Sequence, residues 1–397
     1  MFQLPPVGRA PIYDPKQRGD LAQAGHMWFS DTHVIVALRK NFRAATRPRW
    51  CALLDRFRDG NVTEADLATV NARAVTKSDR MPPPPAGVQR RVLCFTNQER
   101  RAINRYAQAI MLDKTHGPDS DHPRQPYGAT SPLCIMARCH RRTAGMPLAS
   151  GLEAKIRDHV VDDRKLGGRP PWLVVAPRTP LMLVANKAPI LGYANGSTCQ
   201  YVATHLREAV EPRWAYCSWV RRHAWCVSSE DILCMQVAST NERIVDEVLV
   251  DGLAPGHFLV APDSTRISLN PAAVGVESAS EGTMALRVVQ VPAVVAYACT
   301  VHKLQGATLD SLVTLPFTSC FGNKKRTIYT ALSRVTTEQQ LIMMAPLAHG
   351  VDYFASDDAD PLEMFNKKAK ARTERALAEL GVVSASEDAP MRQRRRE

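Results

Sequence analysis

Between Pro292 and Arg334 the chain gathers side chains suited to phosphate chemistry. The apolar run Val294, Val295, Ala296 suits a short buried strand, and it gives way to Thr300, His302, Lys303 and Gln305 before Gly306 lets the backbone turn. Donors are thereby placed at the carboxyl end of a strand, where ligands bind in open α/β sheets. A Lys, a His and a Gln beside a glycine suit a nucleotide phosphate or a nucleic-acid backbone. A helix start, a second strand, a loop and a small-residue helix are expected to follow, with Ser333 and Arg334 at the end of that helix. A guanidinium there can reach a phosphate across a cleft, as an arginine finger does.

The elements that position these groups belong to a sizeable molecule. A chain of 397 residues with 45% hydrophobic content can bury at least two cores, so two main lobes are expected. The formal net charge of +12 favours a polyanionic partner, because Lys and Arg neutralising phosphates supply much of the affinity of such contacts. No apolar run reaches the roughly eighteen residues of a membrane span, and the start MFQLPPVGRAP lacks the basic opening and apolar core of a signal peptide. No membrane partner is expected. Ten cysteines without a secretory signal point to reduced thiols and an intracellular location. Cys134 with Cys139-His140 lacks a matching second pair, so no metal site is expected.

The segments AYACTVHKLQGATLD at 296–310 and YTALSRV at 329–335 resemble motifs V and VI of superfamily-one DNA helicases of the Pif/RecD-like branch. Their order and spacing between apolar strands carry more weight than either piece alone. The opening Met1-Phe2-Gln3-Leu4-Pro5-Pro6-Val7 is similar to motif III of the same family, usually Gly-Asp, two residues, then Gln-Leu-Pro-Pro-Val. The sequence starts inside it. LRKNFRA at 38–44 and LLDRFRDGNVTEADLATVNAR at 53–73 are similar to the helices that follow motif III.

The resemblance implies an α/β fold of RecA-like P-loop helicase lobes. The first lobe is expected to be partial, and the second complete with a small SH3-like β-barrel inserted in it. It implies an ATP-dependent DNA helicase moving 5′ to 3′ on single-stranded DNA or at DNA junctions, with ATP and Mg²⁺ bound by the full-length parent. Gln3, Arg43 and Arg334 would face the γ-phosphate, with Gln3 and Arg334 as the nucleotide contacts of this chain. Thr300, His302, Lys303, Gln305 and Gly306 would contact the DNA strand or couple it to the nucleotide. Arg43 keeps a second reading as a solvated helix charge, since Arg39, Arg47 and Arg49 crowd the same stretch.

Read in order, 1–80 would be the remainder of the first lobe. Val34, Ala37, Leu38 and Phe42 space as one helix face, Leu53, Leu54 and Phe57 as another, and Asp59-Gly60-Asn61 as a turn. Residues 81–90 form a linker, because Pro82 to Pro85 can join neither a helix interior nor a sheet. The second lobe opens at 91–190 with a strand, Val92 to Phe95, and a helix from Thr96-Asn97 to about Leu112. Both Thr96 and Asn97 read first as capping residues and second as DNA contacts. Residues 113–170 read as loops around one helix, and Arg141 and Arg142 there are either nucleic-acid contacts or solvated charges.

Leu173 to Ala176 and Leu181 to Ala185 read as strands, and Asn195-Gly196 as a turn. Residues 191–285 would supply the barrel, from runs such as Gln200-Tyr201-Val202, Val248-Leu249-Val250 and Phe258-Leu259-Val260. Arg213-Trp214 and Trp219-Val220-Arg221-Arg222-His223 interleave rings with cations; the tryptophans read first as barrel core and second as a platform for single-stranded bases. Residues 286–346 return to the second lobe, and 347–397 form a basic tail with a helix over 361–380 and a terminal arginine cluster.

A motor also needs a GxxxxGK[ST] loop and an acidic strand end to hold Mg²⁺, and neither occurs in these residues. The expectation is a fragment that cannot turn over ATP alone. Two alternatives remain: a non-catalytic nucleic-acid-binding remnant, and part of a Helitron-type mobile-element helicase. The resemblance serves DNA repair, recombination, telomere maintenance and transposition alike, and is compatible with nucleus or mitochondrion in a eukaryote.

Overall fold

A computed structural model describes residues 47–75, 81–84, 88–117, 121–141, 148, 150–159, 163–189, 193–241, 244–270, 283–320 and 324–355, with single positions at 23, 24, 27, 371 and 375. Gln3, Arg43, the helix face of Val34 to Phe42, Arg142 and most of the helix expected over 361–380 lie outside them. Two compact units emerge, Met1–Val88 with Leu304–Glu397, and Gln89–Lys303. One boundary follows the proline run; the other falls between Lys303 and Leu304.

The first unit opens with helix α1 (Pro48–Asp59), whose proline sits in the first turn where no amide partner is needed. Trp50, Leu53, Leu54 and Phe57 recur at helical spacing and are buried. Gly60, at φ 77°, ends the helix in the left-handed conformation that glycine adopts without strain. Helix α2 (Glu64–Asn71) starts from a reciprocal capping box between Thr63 and Asp66. Arg56 grips the same carboxylate from α1 at 2.7 and 2.5 Å, and with the Thr63 hydrogen bonds holds Asp66 below its ordinary pKa.

The second unit begins with β1 (Arg91–Cys94) and helix α3 (Asn97–His116), which runs a turn beyond Leu112. The stretch 113–170, expected as loops around one helix, holds helix α4 (Ser150–His159) and also two strands, β2 (Leu133–Met136) and β3 (Arg138–Arg141). Next come β4 (Trp172–Val175), β5 (Pro180–Leu183), β6 (Thr198–Leu206), β7 (Arg213–Cys217), β8 (Arg222–Ser228), β9 (Ile232–Ser239) and β10 (His257–Val260). The remaining strands are β11 (Asp263–Leu269), β12 (Met284–Gln290), β13 (Ala293–Val295) and β14 (Ala298–Thr300). They form sheets in the orders β4-β2-β8-β7, β10-β9-β6-β5-β13 and β11-β12-β3.

The span 191–285 is therefore not a self-contained insert. Its strands are shared among three sheets, each of which also takes strands from outside the span. Two-residue alternation marks a strand but does not name its partner. Val248 and Val250 lie outside any strand and are 61% and 36% exposed.

Alternation does explain the layers. Leu133, Ile135, Leu173 and Val175 face Leu181, Leu183, Tyr201, Met235 and Val237 of the five-stranded sheet. From the other faces of β2 and β4, Cys134, Trp172 and Val174 pack with Cys217 and Cys226 under Leu112 of α3. A third core joins Cys139, Leu286 and Val288 to Ile156 of α4.

The strand expected over Val294 to Ala296 forms as β13, and a second strand, β14, follows it after a break. β13 lies antiparallel to β5, and β14 lies parallel to β1. Asn104 of α3 staples the break: its amide donates to the carbonyls of Val295 and Ala298 at 2.9 and 3.0 Å and accepts from the Ala298 N–H at 2.7 Å. Arg91 donates to the Ala296 carbonyl in the same break.

Back in the first unit, β15 (Leu312–Thr314) and β16 (Leu341–Met343) pair in parallel, with helix α5 (Lys324–Leu332) between them in sequence. The basic turn forms over 301–306, but the helix start expected after it is absent: 307–310 is coil and a bend before β15. The Trp50 indole donates to the Val335 carbonyl at 3.2 Å, and Phe57 meets Phe354 edge-on at 5.1 Å. All ten cysteines are free thiols. Among the described residues no helix is long and apolar enough to cross a membrane.

Candidate nucleic-acid interface

β1 and β14 run side by side in register, Cys94 opposite Thr300, so both strands end at one edge. From Cys94 the chain passes through Phe95 into α3. The Thr96 hydroxyl accepts from the Glu99 N–H at 3.1 Å, and Glu99 returns a carboxylate to the amides of Phe95 and Thr96 at 3.0 and 2.9 Å. Thr96 is thus a helix cap and Asn97 the first helical residue. Burial, with Glu99 nearby, pushes the Cys94 thiol up to about 12, which leaves it without nucleophilic character at neutral pH.

From Thr300 the chain enters the basic turn. The Val301 N–H donates to the Cys94 carbonyl at 3.1 Å and the Lys303 N–H to the Thr300 carbonyl at 2.9 Å. Thr300 is 8% exposed, so it anchors the turn rather than presenting its hydroxyl. His302 and Lys303 are exposed. The Lys303 ammonium donates to Asn195 Oδ1 at 2.8 Å, in the Asn-Gly turn that precedes β6. That turn is held by Gly196 at φ 96° and by the Asn195 N–H on Asn186 Oδ1 at 2.7 Å. A neutral amide positions the cation without cancelling its charge. Loss of hydration lowers the His302 imidazole from its ordinary pKa, so at pH 7 it is a neutral donor and acceptor.

In the first unit, Gln305 and Gly306 are exposed and Leu304 is buried. Gly306 has φ 92°, and nothing lies within 4 Å of the place a Cβ would take. Its requirement is therefore conformational rather than steric. Arg334 departs from the expected finger. It is 7% exposed, and its guanidinium donates to the carbonyls of Thr330 (2.8 Å), Leu304 (3.2 Å) and Ala307 (3.3 Å) and to the Ser333 hydroxyl (2.7 Å). The rigid fork of donors that would suit a phosphate here braces the turn backbone.

Sequence reasoning did not single out Asn104, Arg91 or Glu99, nor the pairing of Lys303 with a residue 108 positions away. The capping box Thr96-x-x-Glu99 was a readable signal for Glu99; the others have none. The tryptophans expected in a barrel core are engaged within the unit: Trp219 donates to Gln108 Oε1 at 3.0 Å, and Trp214 to the Asp121 carbonyl at 2.8 Å. Cys134 and Cys139 enter different cores. Among the described residues no three His, Cys, Asp or Glu side chains gather as a metal site.

No family model matches the chain, and no curated protein does. Among solved structures it is similar to the Pif1 helicase from Candida albicans, at 16% identity and a TM-score of 0.50, over 85% of this chain and 61% of that one. It is also similar to a Pif1 helicase from Bacteroides solved with ADP-AlF3 and ssDNA, at 16% identity and a TM-score of 0.48, over 85% of this chain and 57% of that one. The first likeness shows the fold alone, an α/β architecture of RecA-like lobes. The chain spans about three fifths of the length of the Candida structure.

Proposed function

We propose that the chain is part of an ATP-dependent DNA helicase of the Pif/RecD-like kind, and that it holds single-stranded DNA at the turn after β14. The observation that carries this reading is the Lys303 ammonium, exposed at the shared carboxyl end of two parallel strands and positioned by a neutral amide. His302 beside it, and Gln305 and Gly306 next in the chain, supply further donors to the phosphate backbone. Motifs V and VI and the RecA-like fold agree with this assignment.

Arg334, with Gln3 and Arg43, is assigned to the γ-phosphate of ATP in the full-length parent, which moves 5′ to 3′. For Arg334 this requires the guanidinium to exchange the Leu304 and Ala307 carbonyls for phosphate oxygens. Such an exchange would release the turn when nucleotide binds, coupling ATP to the DNA grip. ATP and Mg²⁺ need a phosphate loop that these 397 residues do not contain, so the polypeptide by itself is expected to bind DNA without hydrolysing ATP.

The test is anisotropy of a labelled oligothymidylate over a salt series, alongside ATP turnover. Binding that weakens with salt, lost in large part in Lys303→Ala, supports the reading; no binding at low salt overturns it. Magnesium-dependent turnover by the pure chain would refute the predicted inactivity. The missing phosphate loop favours one second reading, a binder without a motor. Mapping the transcript start separates the two: GxxxxGK[ST] in the open frame ahead of Met1 supports a helicase, and a stop codon there supports the binder.

A further inference from the structure

The β7–β8 hairpin carries rings on one face and small buried residues on the other. Side chains alternate along a strand, so Ala215, Cys217, Ala224 and Cys226 pack in the core beneath α3, while Trp214 and Tyr216 stand opposite Trp225 and His223. Ring centroids lie 5.4 Å apart for Trp214 and Trp225, 6.3 Å for Trp214 and His223, and 5.4 Å for Tyr216 and His223. The inner end of this row is structural: Trp225 meets Tyr127 edge-on, and the Trp214 indole is tied to the Asp121 carbonyl. The outer end is open. Tyr216 is 54% exposed, β7 is the edge strand of its sheet, and the Trp214 and His223 planes are within 15° of parallel.

Charge selects the occupant. Residues 213–228 include Arg213, Arg221 and Arg222 and no Asp or Glu. Carboxylates from neighbouring elements take up part of the hairpin: Asp113 pairs with Arg222, Asp121 lies 3.4 Å from His223 Nδ1, and Asp158 accepts from Ser218. Arg213 and Arg221 are exposed, and among the described residues neither forms an ion pair. An exposed ring at the edge of a sheet, beside a turn with an uncompensated guanidinium, forms a stacking surface for bases with a grip on the strand backbone.

We propose that Tyr216 and His223, next to the hairpin turn that carries Arg221, form a second contact for single-stranded DNA, on which one or two bases stack. This rests on the reading of the chain as a DNA-binding protein. It adds a contact on a different sheet from the strands that lead into the basic turn.

The full chain is titrated into labelled oligothymidylate, with Tyr216→Phe, Tyr216→Leu, Tyr216→Ala and Lys303→Ala in parallel, and the thermal midpoint of each is recorded. Losing one stacked base weakens binding roughly ten-fold, so Tyr216→Ala and Tyr216→Leu should both do so, while Tyr216→Phe stays within about two-fold of the parent because it keeps the ring. Leu preserves apolar cover on the hairpin, so it decides the matter if the Ala variant loses stability. Arg221→Gln should lower the salt slope by about 1. A Tyr216→Leu protein that binds like the parent, while Lys303→Ala binds weakly, overturns this proposal and leaves the proposed function standing. A parent chain that does not bind at all overturns both.

Discussion

Lys303 in one unit and Arg334 in the other are both cations, and they are used for opposite ends. Lys303 keeps its ammonium in solvent on a neutral amide, whereas Arg334 directs its guanidinium inward onto three carbonyls and a hydroxyl. One is open to solvent, and the other is taken up by backbone and hydroxyl acceptors. Burial separates the two roles, because a guanidinium without solvent must be satisfied by protein acceptors.

Variants of the groups that shape the backbone should cost the most stability. Arg334→Ala leaves the Leu304, Ala307 and Thr330 carbonyls without this donor and should remove about 3 kcal/mol in urea unfolding; a loss below about 1 kcal/mol would mean the guanidinium is not a brace. Asn104→Leu should cost about 2 kcal/mol, since one amide satisfies three backbone groups at the β13–β14 break. Gly306→Ala should cost roughly 1 kcal/mol from its left-handed backbone alone, because the space for a methyl group is open. A larger loss, by the same measurement, would reveal a steric requirement.

Asp66 supplies a control away from the turn. Its folded pKa lies below the unfolded value, so its contribution is present above the unfolded value and is lost as pH falls through the folded one. Unfolding midpoints measured from pH 7 down to pH 3 should fall less steeply in Arg56→Ala, which removes the first cause of the shift. Identical slopes would show that Thr63 alone holds the carboxylate. Smallest in stability is Lys303→Ala, expected within about 0.5 kcal/mol of the parent yet with a DNA salt slope lower by about 1. A stability loss as large as that of Arg334→Ala would erase the distinction between the two sides.

Local signals carried much of the secondary structure. The spacing of Leu53, Leu54 and Phe57, the turn at Gly60, the Thr96 cap and the Asn195-Gly196 turn were readable because helix periodicity, capping and left-handed turns depend on neighbours in sequence. The strand β3 was not, since the four-residue run Arg138-Cys139-His140-Arg141 carries little periodic signal, and β2, a four-residue apolar run, is too short for periodicity to identify. The division of 191–285 among three sheets was hidden for a different reason: pairing joins residues far apart, such as Leu133 with Trp225 and Arg138 with Val289. The second strand, β14, was not read because the Asn104 staple that sets it off from β13 belongs to a helix some 190 residues earlier.

The sequence by itself determined which chemistry is present: a Lys, a His and a Gln beside a glycine, an Arg after a small-residue helix, and an excess of positive charge. Residue type and local spacing are enough for that. Tertiary structure alone decided which of these groups faces water. The burial of Arg334 and Thr300, the tie between Lys303 and Asn195 and the open end of the Trp214–Tyr216 row all depend on contacts between distant segments. Solvent exposure belongs to the packed chain, and side-chain identity does not set it.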